Sequence, residues 1–168
     1  LALGIGANAA VFGVVKSVLL DALPYGDADR LVRVYGRFLD GSSERGPLSA
    51  GTVSDIAGRQ RSFSSVAAFA GYVSDAVFGG DGGPSVARLA WVQPNLFRTL
   101  GVTAVLGRTF ADDDIPSDTA RVVVLAHGVW QRLFAGDSGI VGRDIRINGI
   151  PRTVIGVPPP ALLPRARG

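Results

Sequence analysis

The 168-residue sequence predicts an α+β fold with mixed sheets. Three observations carry that prediction. The hydrophobic patterns run in the order helix, strand, helix, hairpin, helix, strand, helix, hairpin, which is not the regular alternation of a doubly wound fold. Asn148-Gly149 lies between two alternating apolar runs, a strong local code for a two-residue hairpin. Apolar residues make up 47% of the chain and charged residues 18%, so a core is available and a disordered tail is excluded.

The first helical element is unusual. From Leu1 to Val15 the one polar side chain is Asn8; Lys16 and Ser17 interrupt, and Val18, Leu19 and Leu20 continue the run. A membrane-crossing helix needs about 20 mostly apolar residues. The run is expected to be the end of such a helix. The sequence contains no methionine, so the chain is expected to be a piece of a longer protein. Gly4, Gly6 and Gly13 would each cost about 1 kcal/mol against Ala in a soluble helix, whereas small residues let helices approach closely in lipid. Lys16 can reach a headgroup region, and Asp21, Pro24 and Tyr25 suit an exit into water. Gly4, Gly6 and Ala9 also match the spacing of a dinucleotide fingerprint. That motif requires a preceding strand, and three residues stand in front of it; Asp21 falls in the pre-proline exit.

Leu31–Tyr35 alternates and predicts a strand. Asp40–Pro47 predicts a loop. Thr52–Gln60 has Val53, Ile56 and Ala57 at helical spacing, with Thr52 as the expected cap. Phe63 and Phe69 are expected in the core. Tyr72–Phe78 and Ser85–Val92 flank a glycine cluster at 79–83 and predict a hairpin. Pro94–Leu100 predicts a short helix ended by Gly101. Leu106–Phe110 is expected to be a connector. Arg121–Leu125 predicts a buried strand, with Trp130–Phe134 on a helix after it. Asp144–Ile147 and Ile150–Val157 form the final hairpin. Pro151 puts the start of its second strand on an edge, because proline has no N–H to donate.

The sequence offers no catalytic residue, no cofactor-binding residue and no metal ligand set. His127 is the only histidine, there is no cysteine, and no hydrolase elbow is present. Asp112, Asp113, Asp114 and Asp118 lack the alternation and distal Glu of a calcium loop and read as a solvated loop. The pI is near 9.9, but net charge is only +3. Basic residues are scattered from Lys16 to Arg167, with no aromatic-interleaved basic stretch, so nucleic acid is not an expected partner.

Taken together, the phrases resemble a known family. Residues 1–25 are similar to the end of the first transmembrane helix of MacB/FtsX-type permeases, above all the large duplicated permeases of acidobacterial type. The chain after it resembles the MacB-like periplasmic core domain. The matching phrases run collinearly: Asp29–Val32, Phe63–Phe69, Val92–Phe97, Leu100–Val102, Leu106–Phe110, Val122–Leu125, Trp130–Arg132, Phe134–Asp137, Gly142-Arg143 and Ile147–Val157. Gln93 departs from the family pattern, where a small hydroxyl residue is common. Pro158–Pro160 and Ala161–Gly168 depart as well.

The resemblance implies three parts: 1–23 as the end of the first transmembrane helix, 24–160 as an extracytoplasmic MacB-like core domain, and 161–168 as a tail. It implies a protein of the bacterial cytoplasmic membrane with residues 24–168 outside. It implies a non-enzymatic element that couples ATP hydrolysis by a cytoplasmic ABC ATPase subunit to export or mechanical signalling. Further implied partners are membrane lipid along 1–23 and a second permease copy or a periplasmic protein. No Walker motif occurs in the chain, so ATP would bind elsewhere. Two readings stand against this one: a soluble ligand- or protein-binding α+β module whose first helix is core, and a nucleotide enzyme using Gly4, Gly6 and Ala9.

Overall fold

The computed structural model describes Tyr25 and residues 28–37, 45–70, 73–79, 83–114 and 121–160. The expectations for 1–23, for most of the 40–47 loop, for Asp118 and for the tail at 161–168 lie outside the described residues.

The described residues build one six-stranded mixed sheet. Its strands are β1 (Ser74–Gly79), β2 (Ser85–Leu89), β3 (Leu106–Gly107), β4 (Val122–Val124), β5 (Asp144–Ile147) and β6 (Ile150–Val157). The order is β2-β1-β5-β6-β3, with β4 also on β6. Among these strands, only the β4·β6 pairing is parallel. Among the described residues three α-helices accompany the sheet, α1 (Ala50–Arg59), α2 (Leu96–Thr99) and α3 (His127–Phe134), with short 3-10 turns at Ala28–Arg30 and Ser138–Ile140.

The β5–β6 hairpin forms as its sequence requires. Asn148 and Gly149 have φ of 51° and 79°, the left-handed pair of a turn whose twist matches the strands. Ile147 pairs with Ile150 on either side of it. Asn148 also fastens the hairpin to β1. Its side-chain oxygen accepts from the Val77 N–H at 2.8 Å, and its own N–H donates to the Val77 carbonyl at 2.8 Å. β5 alternates strictly, with Ile145 and Ile147 buried and Asp144 and Arg146 exposed. From Val154 to Val157 every residue of β6 is buried, as a strand covered on both faces demands. Pro151 lies ahead of the β4 contacts, which begin at Thr153, so its missing N–H breaks no ladder there.

The main core lies on one face of the sheet. Ala76, Phe78, Ala87, Val123, Ile145, Ile147, Val154 and Val157 meet Leu125 and Ile140, with Val129, Trp130, Leu133 and Phe134 of α3 packed over them. Those four helix positions fall on one stripe at helical spacing. α3 ends at Ala135 and Gly136, both left-handed, and the Trp130 Nε1–H donates to the Asp137 carbonyl at 2.8 Å.

Four expectations are corrected. Leu31–Tyr35 is not a strand: alternation supplies a pattern but no partner, and the one pairing nearby is the isolated Gly36–Gly46 bridge. Val32 and Val34 are exposed, and the Arg33 guanidinium stands over the rings of Tyr35 and Phe69 at 4.7 and 4.9 Å. Phe63 is exposed and Phe69 half-buried, so neither joins the core. Gln60 holds the Phe63 backbone by two hydrogen bonds, closing a turn that leaves the ring outside. The cap of α1 is Ser49 and not Thr52; the Ser49 hydroxyl accepts from the Thr52 N–H at 3.1 Å. The connector at Leu106–Phe110 begins as β3, because Leu106 and Gly107 pair with Val157 and Gly156.

Candidate functional site

Among the described residues considered for chemistry, His127, Asp112 and Asp114 make structural contacts. His127 opens α3 and meets Trp130 edge-on, with ring centres 5.4 Å apart. The aspartate run is not simply solvated. Asp112 accepts two hydrogen bonds from Arg98 at 2.9 and 3.2 Å. Asp114 accepts two from Arg108, at 2.6 and 3.2 Å, and one from the Ala111 N–H at 2.8 Å. The Arg108 guanidinium holds the Asp114 carboxyl below the usual carboxylate range, and the pair lifts Arg108 above its own. Among the described residues, no three His, Asp or Glu side chains gather as a metal set. Two shallow concavities are present, one along Gly107, Val141 and Thr153–Ile155, the other along Ala57, Val66 and Gln93–Asn95.

A second core singles out a different site. Tyr25 is 8% exposed and packs with Phe97 and Val102. Leu31, Val92, Leu100, Phe110 and Val124 close around them. Phe97 and Phe110 tilt at 48° with centres 5.7 Å apart. Burial pushes the Tyr25 phenol up in pKa. The sequence places Tyr25 five residues after Leu20, at the close of the apolar run. The first described residue after that run is therefore core rather than exit.

Local chemistry fixes the residues that receive Tyr25. α2 presents Phe97 while its polar neighbours tie it to 65–70. The Asn95 amide donates to the Val66 carbonyl at 2.9 Å, and the Ser65 and Thr99 hydroxyls are 2.7 Å apart. Gln93 and Ala68 are joined twice: the Gln93 side-chain oxygen accepts from the Ala68 N–H, and the Ala68 carbonyl from the Gln93 N–H, both at 2.8 Å. The Gln93 side chain thus clasps the 65–70 segment to the residues ahead of α2. Val124 belongs to β4, which pairs with β6. Through Val124 the Tyr25 cluster therefore touches the sheet at β4. No apolar alternation marked Tyr25 as buried; the signal in sequence was an aromatic residue just past a proline.

Comparison with known proteins agrees with this architecture. The model of the MacB-like periplasmic core domain family matches residues 1–167. The periplasmic region of MacB from Actinobacillus actinomycetemcomitans superposes with a TM-score of 0.55 at 20% identity, over 75% of this chain and 56% of that one. The extracellular domain of the noncanonic ABC-type transporter YknZ from Gram-positive bacteria does so with a TM-score of 0.55 at 21% identity, over 67% of this chain and 57% of that one. A probable syringafactin export ATP-binding/permease protein, SyfD, from Pseudomonas syringae pv. tomato is 38% identical over 71 residues. That stretch is 42% of this chain and 10% of the relative, so the chain spans a small part of that protein. No helix among the described residues is long and apolar enough to cross a membrane. With its mixed sheet, its two cores and a family match over nearly its whole length, the chain belongs to the MacB-like periplasmic core domain family.

Proposed function

We propose that the chain is the extracytoplasmic element of an ABC-transporter-type permease of the cytoplasmic membrane. In this reading residues 1–23 close the first transmembrane helix, 24–160 form the lobe outside, and 161–168 are a tail. A cytoplasmic ABC ATPase hydrolyses ATP, and the lobe turns that work into export or a mechanical signal. In this reading the lobe works without a catalytic residue, cofactor or metal of its own. The Pseudomonas relative is described as an export ATP-binding/permease protein, which supports the outward direction.

One observation carries the coupling: Tyr25 is buried against Phe97 and Val102 directly after the apolar run. A flexible tether would let a membrane helix move without moving the lobe. A buried aromatic anchor makes the two move together, as hinge and shear motions of rigid parts require. Full burial of a large apolar side chain contributes about 1.5–3 kcal/mol, which favours the docked position of Tyr25.

The test has two arms. A topology reporter fused after Val157 of the full-length protein should signal outside; an inside signal ends the permease reading. In membranes containing the ATPase partner, trypsin cleavage at the exposed Arg59 and Arg61 should change rate on ATP addition. Tyr25→Ala should abolish that change while ATP hydrolysis continues. A Tyr25→Ala protein that keeps the ATP-dependent change removes the anchor from the mechanism.

A further inference from the structure

We propose that residues 108–114 form a charge-locked clasp over the socket that holds Tyr25, and that the Arg98–Asp112 pair is its releasable catch. The proposal rests on the reading of Tyr25 as the anchor of a membrane helix and adds a control to it. Ionic strength on the outer side sets how firmly the socket grips.

The clasp begins where β3 ends. The Arg108 N–H donates to the Ile155 carbonyl at 2.9 Å, which fixes the start of the segment on β6. From there the chain hooks back on itself. The Asp114 N–H donates to the Ala111 carbonyl, and the Ala111 N–H donates to the Asp114 carboxylate. Arg108 holds the same carboxylate with two nitrogens. Phe110 lies within this hook and packs against the Tyr25 cluster, its ring beside that of Phe97.

A second pair ties the hook to α2. Arg98 follows Phe97 on α2, and Asp112 stands two residues after Phe110. The two hydrogen bonds from Arg98 to Asp112 therefore close beside the contact between the two rings. What the ion pair holds in place is the ring that covers Phe97.

Exposure divides the roles of the two pairs. The Asp114 side chain is 12% exposed, whereas those of Arg98 and Asp112 are 68% and 64% exposed. Exposed charges are screened over about 10 Å at 0.1 M salt and about 3 Å at 1 M, and partly buried pairs much less. Salt therefore weakens the catch first and leaves the Arg108–Asp114 hook in shape. With the catch released, Phe110 stays over Phe97 by its apolar contact alone, and the socket opens more often.

The test uses full-length protein in lipid nanodiscs, carrying Val102→Cys as its only cysteine and labelled with a maleimide. Val102 is 5% exposed inside the socket, so a thiol there reacts when the socket opens. Labelling should run about two to five times faster at about 1 M than at about 0.05 M sodium chloride, the factor that an exposed ion pair is worth. Ala76→Cys, in the main core, should stay equally slow at both. Asp112→Asn should make Val102→Cys fast at both salts, and Asp113→Asn should leave the salt dependence intact. If Val102→Cys unsettles the fold, amide exchange of the unmodified protein gives the same reading. The Val102 N–H, bonded to the Phe97 carbonyl, should exchange faster in salt, and the Val154 N–H of β6 should not. Rates that ignore salt, or a salt dependence that survives Asp112→Asn or is equally lost with Asp113→Asn, overturn the proposal. Neither readout uses ATP, so a clasp that fails leaves the anchor test standing, and an inside topology signal ends the permease reading whatever the labelling shows.

Discussion

Gly107 and Gly156 face each other across the β3·β6 ladder, and neither position has room for a side chain. A Cβ on Gly156 would run into the carbonyls of Arg108 and Leu106 and the Arg108 N–H. A Cβ on Gly107 would meet the Ile155 carbonyl, at a residue whose φ is already +68°. This double approach lets a two-residue strand attach to the buried half of β6.

Gly156→Ala should therefore destabilise the lobe by about 1–3 kcal/mol, the range for forcing an extra methyl into a packed place. Gly107→Ala should cost more, since it adds left-handed strain of about 1–2 kcal/mol to the clash. Urea unfolding of the two variants checks both the loss and its order. Equal stability to wild type would mean that β3 can leave the sheet without cost.

Asn148 combines a turn residue with a cross-strand bond. Asn148→Gly keeps the left-handed turn and loses the side-chain bond to Val77, so it should cost about 1 kcal/mol. Asn148→Ala also forces a Cβ-bearing residue without Asn's local hydrogen bonding into φ near 51°, and should cost about 2 kcal/mol. Thermal unfolding of both variants distinguishes the two contributions. A smaller loss for Ala than for Gly would contradict the turn assignment.

Gln93 holds the Ala68 N–H, so replacing it by the shorter Ser should leave that donor without its bond. A loss of about 1 kcal/mol is expected, with faster amide hydrogen exchange at Ala68. An unchanged exchange rate would show that the clasp between 65–70 and 91–99 does not depend on this side chain.

The Arg108–Asp114 pair sets a pH dependence. The folded Asp114 carboxyl is depressed, first by its hydrogen bonds from Arg108. Its contribution is therefore present above the usual carboxylate range and is lost as pH falls through the depressed folded value. Asp114→Asn should lower the urea midpoint near neutrality. The gap to wild type should shrink on acidification and close in strong acid. A gap constant with pH would mean that packing, and not charge, is what Asp114 supplies.

How much was legible in the sequence differs from element to element. The β5–β6 hairpin, the β1–β2 hairpin, the ending of α2 at Gly101 and the helix carrying Trp130 were all read from residues adjacent in the chain. Turn codes, two-residue alternation and helical spacing are local, and the finished structure kept them because each also turned its apolar side inward. Family membership was legible for the same reason, through ordered short phrases.

Tertiary structure decided the rest. Leu31–Tyr35 alternates like a strand, yet a strand exists only where another edge receives it, and Arg33 stacks on Tyr35 and Phe69 instead. Leu106-Gly107 has the look of a connector, yet Gly156, forty-nine positions along, leaves the space that admits it to the sheet. Asp112 and Asp114 look alike among neighbouring acids until Arg98 and Arg108 arrive beside them. Tyr25 suits a water-facing exit by its place after Pro24, and is core because Phe97 and Val102 come to it from more than seventy residues away. The chain's local chemistry named its elements and its family; contacts between distant residues chose the anchor, because burial and ion pairing depend on what lies nearby in space.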